Sequence, residues 1–244
     1  MTDDRVGQQA LDRALDEQED LLLVDQPIHE ARSRRIVAVE ALLRQRRQSG
    51  EIRETSAITE AAEQGPELFV LDSFTMLTAW SDAARWMKSA PGVRLNLNLS
   101  PREFEENDIV RRFKNLADRH SIDPTRISLE ITETRYIERP EETVRVLEEL
   151  RALGLHLWLD DFGTRHSSLT HLLHFNVDGI KLAGEFVTRI TKDERHAAIV
   201  RTLLVLAHEL GLKVIAEEVE QQEQLDFLLE HDCDYIQGFL FSRP

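Results

Sequence analysis

Seven side chains able to hold a metal ion or move a proton lie in, or at the end of, short apolar runs. Glu40 sits inside Val37-Ala38-Val39-Glu40-Ala41-Leu42-Leu43, and Glu130 inside Ile127-Ser128-Leu129-Glu130-Ile131-Thr132-Glu133. Asp160 and Asp161 end Leu155-His156-Leu157-Trp158-Leu159, and Glu217 ends Val214-Ile215-Ala216. Asn98 falls in Leu95-Asn96-Leu97-Asn98-Leu99, and Lys181 in Gly179-Ile180-Lys181-Leu182. Charged groups are almost never buried without partners, so one in strand after strand calls for a shared purpose. Five carboxylates and one amide oxygen are hard donors of the kind Mg²⁺ or Mn²⁺ takes. The adjacent Asp160 and Asp161 could bridge and flank two such ions about 3.5–4 Å apart, the separation that suits in-line displacement at a phosphodiester. Taken singly, each residue has a plainer use. A strand-end acid caps a helix or joins a surface ion pair, a buried lysine pairs with one carboxylate, and Asn98 ahead of Ser100-Pro101 shapes a turn. Six such coincidences at successive strand ends favour the joint reading.

The elements that must position these residues follow from the apolar rhythm. Runs at Leu21–Val24, Ile36–Leu43, Val93–Leu99, Ile127–Ile131, Leu155–Leu159, Gly179–Leu182, Lys213–Ala216 and Tyr235–Phe241 are rich in Val, Ile and Leu, as buried strands are. Between most of them lie amphipathic segments: Glu142–Leu153, with Val144, Leu147, Leu150 and Leu153 as its apolar stripe, then His196–Leu210 and Glu223–His231. Strand–helix alternation with eight strands predicts an α/β fold, and eight favours a closed barrel. Glu30–Arg35 is too short for a parallel crossover and predicts a hairpin between the first two strands. The C-terminal strand ends of such a barrel converge on one face, where its enzymes work.

Composition narrows the partners. In 244 residues, 45 acidic against 30 basic side chains give a net charge of −15, which excludes a sequence-blind nucleic-acid binder or an anionic membrane surface as the main partner. A small anion held through metal ions stays open. One cysteine, Cys233, excludes an internal disulfide framework and suits a reducing compartment. No apolar run approaches a membrane span, and Met1-Thr2-Asp3-Asp4 has no secretory-signal character, so the expectation is a cytoplasmic protein or module. Residues 1–20 are polar and acidic and are expected to be a tail or helix ahead of a barrel over 21–244.

From the strand motifs the chain resembles the EAL family of cyclic-di-GMP phosphodiesterases, over roughly residues 22–244. The motifs are Glu40-Ala41-Leu42-Leu43-Arg44, Asn98-Leu99-Ser100, Leu129-Glu130-Ile131-Thr132-Glu133, Leu159-Asp160-Asp161-Phe162-Gly163-Thr164, Ile180-Lys181, Ala216-Glu217-Glu218-Val219-Glu220 and Gln237-Gly238-Phe239 onward. Gln26-Pro27-Ile28 looks like the family's first strand. The resemblance implies a modified TIM (β/α)₈ barrel whose first strand is antiparallel. It also implies hydrolysis of cyclic-di-GMP to linear pGpG with two Mg²⁺ or Mn²⁺ ions, in a homodimer. By motif, Glu40, Asn98, Glu130 and Asp160 would hold one ion, and Asp160, Asp161 and Glu217 the other. Lys181 would orient or help deprotonate water, with Glu220 and Gln237 in support, and Glu133 would anchor the loop after the aspartates. Gln26, Leu43 and Arg44 would contact the dinucleotide.

Some positions depart from that pattern. Arg165 and His166 replace a Gly and a Tyr after the aspartate pair, Ala183 replaces an Asp after Lys181, Glu218 replaces a Gly, and Glu54-Thr55-Ser56-Ala57 stands where Pro-Ala-Glu-Phe is usual. An active enzyme with altered regulation is one reading. A cyclic-di-GMP receptor or interaction module without turnover is another, and a barrel acting on a different phosphorylated metabolite is a third. Elsewhere, His120, His166, His171, His174 and His208 show no zinc spacing. Trp80, Trp86, Met76 and Met87 are expected to pack a helix on the barrel, and Arg44-Gln45-Arg46-Arg47, apart from Arg44, to be a solvated loop.

Overall fold

The computed structural model describes residues 21–47, 49–55, 58–59, 62, 67–100, 108–132, 140–163, 172 and 175–244. The expected tail over 1–20, Glu133, Arg165 and His166 lie outside them. Nine strands are described: β1 Leu21–Glu30, β2 Ile36–Arg46, β3 Ile52–Glu54, β4 Arg94–Leu99, β5 Ile127–Thr132, β6 His156–Phe162, β7 Gly179–Leu182, β8 Lys213–Ala216 and β9 Tyr235–Ile236. They pair in the order β1-β9-β8-β7-β6-β5-β4-β2-β3, and a β1–β2 pairing closes eight of them into a barrel with β3 outside. β1 runs antiparallel to both β2 and β9, while the pairs from β2 through β4 to β9 are parallel. The reversal follows from chain length. Only a turn joins β1 to β2, closed by the Glu30 N–H donating to the Arg35 carbonyl at 2.9 Å, with Arg34 at φ 61. The fold is thus the expected modified barrel.

Helices cover the outside: α1 Glu67–Trp86, α2 Ile109–His120, α3 Pro140–Ala152, α4 Gly184–Val187, α5 Glu194–Glu209 and α6 Gln222–Glu230. Strand alternation assigns the two faces of the sheet. Leu95, Leu97, Leu99, Ile127, Leu129, Ile131, Leu157, Leu159, Ile180, Leu182, Val214 and Ala216 join one apolar core with helix residues such as Trp80, Phe113, Leu150 and Leu204. The intervening residues face into the barrel. Among them Trp158 and Ile215 form a separate buried cluster with Ile28 and Ala38, which plugs its lower half. Gly179 makes room for that plug, because a Cβ there would lie 2.3 Å from Trp158 Cζ3 and 2.4 Å from the Lys213 carbonyl oxygen.

Several expectations need correcting. The last run is a strand only at Tyr235–Ile236: the Gln237 N–H still donates to the Ala216 carbonyl of β8 at 2.9 Å, but from the Gln237 carbonyl onward the backbone bonds to the loop at Val219. Gln237 accepts from the Val219 N–H, and Leu240 donates to the Val219 carbonyl, both at 3.0 Å. On α3 the buried stripe is Thr143, Val146, Leu147 and Leu150, a 3-4 spacing that includes Val146 and leaves Val144 only partly buried. Gln45 and Arg46 are not loop but the end of β2, held by pairing with Arg53 and Ile52 of β3. Trp80, Met76 and Met87 are buried as expected. Burial pushes the Cys233 thiol up to about 12, so it stays protonated at neutral pH. No helix among the described residues is long and apolar enough to cross a membrane.

Gly179→Ala is expected to destabilise the protein by about 3 kcal/mol, the upper range for overpacking, with part of the loss recovered by adding Trp158→Leu. Urea unfolding of the single and double variants checks this, and equal loss in both would mean that Trp158 is not the obstacle.

Candidate active site

The inward residues at the C-terminal strand ends converge on one ammonium group. Lys181 Nζ, on β7 and 1% exposed, lies 2.7 Å from Glu130 Oε2, 2.8 Å from Glu217 Oε1, 3.2 Å from Asp160 Oδ1 and 3.3 Å from Glu40 Oε2. Amides hold the acids in turn. Asn96 Nδ2 donates to Glu130 Oε1 at 2.6 Å, Asn98 Nδ2 to Glu40 Oε1 at 2.8 Å, and Gln237 Nε2 to Glu40 Oε2 at 2.7 Å and Gln26 Oε1 at 3.2 Å. β1, β2, β4, β5, β6 and β7 therefore meet through side chains as well as through backbone, with Gln237 just past β9 joining them.

The electrostatics show how crowded this is. Burial opposes the charge on Lys181, yet Asp160, Glu130, Glu217 and Glu40 outweigh it and hold the ammonium well above the usual lysine range. Burial also opposes ionisation of Glu40, but Lys181, Gln237 and Asn98 overcome it and hold that carboxyl below its ordinary value. Glu130 goes the other way, held well above the carboxylate range by burial and by Glu40 despite Lys181. Burial raises Glu217 to about 8 against Lys181, with Asp160 and Glu40 adding to the rise. One ammonium does not neutralise the group, and the site favours additional positive charge.

That charge has a place to sit. Asp160, Asp161 and Glu217 each offer an oxygen, and the three oxygens lie within 4.8 Å of one another. On a regular strand Asp160 and Asp161 would face opposite sides. Here the β6–β7 register shifts between Leu159 and Phe162, and Asp161 adopts φ 52, so the irregularity turns both acids toward Glu217. All donors are hard oxygens, and Asn98 and Asn96 donate through nitrogen while keeping their amide oxygens available. The residues present fit a hard divalent cation.

Glu40, Asn98, Glu130, Asp160, Lys181, Glu217 and Gln237 are thus gathered together, with Asp161 beside them. Gln26, Arg44, Glu217, Glu220 and Gln237 line an adjoining cavity of about 380 Å³. Two positions are not where the motif reading put them. Glu220 is exposed and is not among the ion-pair partners of Lys181 in the described residues; its backbone N–H donates to Gln224 Oε1 at 2.8 Å, capping α6. Leu43 points to the other side of β2, against the small cluster of Leu21, Ile58, Leu68 and Leu71, while its carbonyl accepts from Arg44 Nη1 at 2.8 Å and Thr55 Oγ1 at 2.9 Å. Gln237 supports Glu40 and not Lys181. Asn96 was missed, although it shares the period-two face of Asn98 in Leu95–Leu99.

The EAL domain family model matches residues 8–244. The chain belongs to the EAL domain family. Across 229 residues it is 30% identical to the bifunctional diguanylate cyclase/cyclic di-GMP phosphodiesterase MucR of Pseudomonas aeruginosa, covering 93% of this chain and 33% of MucR. It is 33% identical over 208 residues to the cyclic di-GMP phosphodiesterase PdeR of Escherichia coli, covering 85% of this chain and 31% of PdeR. The chain spans about a third of the length of these curated relatives. Among solved structures, the cyclic-di-GMP complex of the P. aeruginosa MucR phosphodiesterase superposes with TM-score 0.90 at 30% identity, covering 98% and 96% of the two chains. The calcium/cyclic-di-GMP complex of Klebsiella pneumoniae BlrP1 gives TM-score 0.81 at 29% identity, covering 92% and 56%.

One departure from the usual EAL pattern meets a bare glycine. Glu218, in place of Gly, sits at φ 52, in the left-handed region that costs a side chain about 1 kcal/mol or more. Its carboxyl lies over Gly184, where a Cβ would come within 2.1 Å of Glu218 Cδ. The bare Gly184 that follows Ala183 thus accommodates Glu218. Glu218→Gly is expected to raise stability by about 1 kcal/mol. Gly184→Ala should destabilise the parent more than the Glu218→Gly variant. Urea midpoints of all four proteins test the coupling, and additive effects would refute it.

Proposed function

We propose that the chain hydrolyses cyclic-di-GMP to linear pGpG, using Mg²⁺ or Mn²⁺ ions held at the C-terminal end of the barrel. The observation that supports this is the buried group of acids around Lys181, beside which Asp160, Asp161 and Glu217 gather three oxygens within 4.8 Å of one another. Asp160, Asp161 and Glu217 would hold one ion, and Glu40, Asn98, Glu130 and Asp160 a second. Bound there, divalent cations supply the Lewis acidity that polarises a phosphodiester and acidifies water. Arg44, lining the adjoining cavity, offers a guanidinium to a phosphate. Lys181 faces four carboxylates with three N–H bonds, so it acts as a donor that orients water and steadies negative charge. Glu217, bonded to Lys181 at 2.8 Å, would be the carboxylate beside that donor that takes up a proton. Homodimer formation and a cytoplasmic location belong to the same reading.

The alternative is a receptor or interaction module that keeps the barrel without turnover, and Ala183 and Glu218 beside the site are what favours it. Incubating the protein with cyclic-di-GMP and Mn²⁺ decides between them. Release of pGpG is expected, whereas binding without product sinks the enzyme reading. Competition by simple phosphomonoesters would point to a different metabolite.

Glu40→Ala should lower turnover by at least about a hundredfold, more than the loss of an outer hydrogen-bonding partner of a metal ligand usually costs. Unchanged activity would remove Glu40 from the ion site. Lys181→Met should lower the metal-free Tm, because the remaining acids lose their counter-charge, and Mn²⁺ should recover much of the difference. Its kcat should fall more than its KM rises. A Tm gap that Mn²⁺ leaves unchanged would argue against ions at these acids.

A further inference from the structure

The barrel has a second cavity, at the end away from the acids. Its volume is about 650 Å³, within the roughly 300–1,000 Å³ range of small-molecule sites. The first residues of the alternate strands β4, β6 and β8, namely Arg94, His156 and Lys213, line it, and Arg151 of α3 adds a second guanidinium. Two residues further along the same inward faces come Asn96, Trp158 and Ile215, and two further again Asn98, Asp160 and Glu217. One set of strand faces therefore carries cations at one end, a buried plug in the middle and acids at the other. In a chain of net charge −15, this gathering of basic groups runs against the general surface. The chemistry at the acidic end does not use it.

Most of these cations already have partners. Arg151 Nη1 lies 3.2 Å from Asp178 Oδ2 and donates to the Asn176 carbonyl at 2.7 Å. His156 Nδ1 lies 3.6 Å from Asp178 Oδ1, and Lys213 Nζ 2.7 Å from Asp234 Oδ1. Arg94 differs. It forms no ion pair among the described residues, and its Nε–H is buried without an acceptor there. The indole N–H of Trp158, a residue 4% exposed, is in the same position. Buried donors seldom go unpaired, so these look to the cavity for an acceptor. Asp178, already paired with Arg151 and His156, and Asn176 also line it, and the rest of the wall is largely apolar and aromatic, with Trp158 and Tyr235 in edge contact at 6.0 Å and Phe175 and Leu212 beside them.

We propose that this cavity is a second ligand site, separate from the acid cluster, for a small organic phosphate. Its phosphate is held by Arg94 with Arg151 and Lys213 nearby, and its apolar or aromatic body rests against Trp158, Tyr235 and Phe175. Several cations around one mouth suit a dianion better than a single carboxylate, and a guanidinium matches phosphate oxygens in pairs. The apolar wall favours an organic ester over the bare ion. The Trp158 plug closes the inner end, so a polymer cannot thread it.

The test uses the whole chain in EDTA, with the indole N–H signals of its three tryptophans followed by NMR and Trp158 assigned from Trp158→Phe. Adenosine monophosphate is the probe and inorganic phosphate the comparison. The Trp158 signal should move saturably by about 1 mM probe, while those of Trp80 and Trp86 stay put. Arg94→Met should weaken binding at least about tenfold with the melting temperature retained, and Lys213→Met serves if that variant does not fold. Inorganic phosphate should bind more weakly. No movement of the Trp158 signal, or affinity unchanged in the basic-residue variants, overturns the site. Equal affinity for inorganic phosphate overturns the organic body.

Discussion

One ammonium among four carboxylates organises this molecule. Lys181 cannot be buried without acids, and the acids cannot be brought so close without a cation. Each side justifies the burial of the other, yet the balance stays negative. Glu130 and Glu217 are left reluctant to ionise, and that residual demand for positive charge suits the site to divalent ions. The parallel barrel is what makes such crowding possible, because strand after strand delivers its side chain to the same height.

Much of this was legible in the sequence, because period-two alternation makes a polar residue in an apolar run conspicuous. Glu40, Glu130, Lys181 and Glu217 stood out that way, and the short Glu30–Arg35 link forecast the reversed first strand. Other features were hidden for physical reasons. Asn96 and Asn98 look alike in sequence, and although the register sets Asn98 opposite Glu130, the side-chain hydrogen bonds give Glu130 to Asn96 and Glu40 to Asn98. The β6 irregularity depends on backbone angles that alternation cannot encode. β3 is three exposed residues with no core-facing pattern, and the last strand stopped early because from the Gln237 carbonyl onward its backbone found partners in the loop at Val219. Leu43 was carried with its motif, although strand alternation places it opposite Glu40 and Arg44.

The two ends of the barrel are chemically opposed and physically separated. Trp158 fills the interior because β7 presents a glycine at its level, and the same strand presents Lys181 two residues later. A small residue and a large one thus form the floor on which the acid cluster rests. The pairing of Glu218 with Gly184 is a similar exchange at the rim, where a side chain in an awkward backbone position is offset by a neighbour without one.

The reversed first strand also bears on how the barrel assembles. β1 pairs with β2 through a turn of a few residues, but its other neighbour is β9, where His29 meets Ile236. One edge can zip up locally and early. The opposite edge carries a large loop-closure entropy and waits until the intervening strands and helices have shortened the effective distance. The seam between β1 and β9 is therefore the high-contact-order join of the fold, and Gln26 bonded to Gln237 places part of the candidate site on it. Completion of that pocket and closure of the barrel become a single late event on the folding pathway.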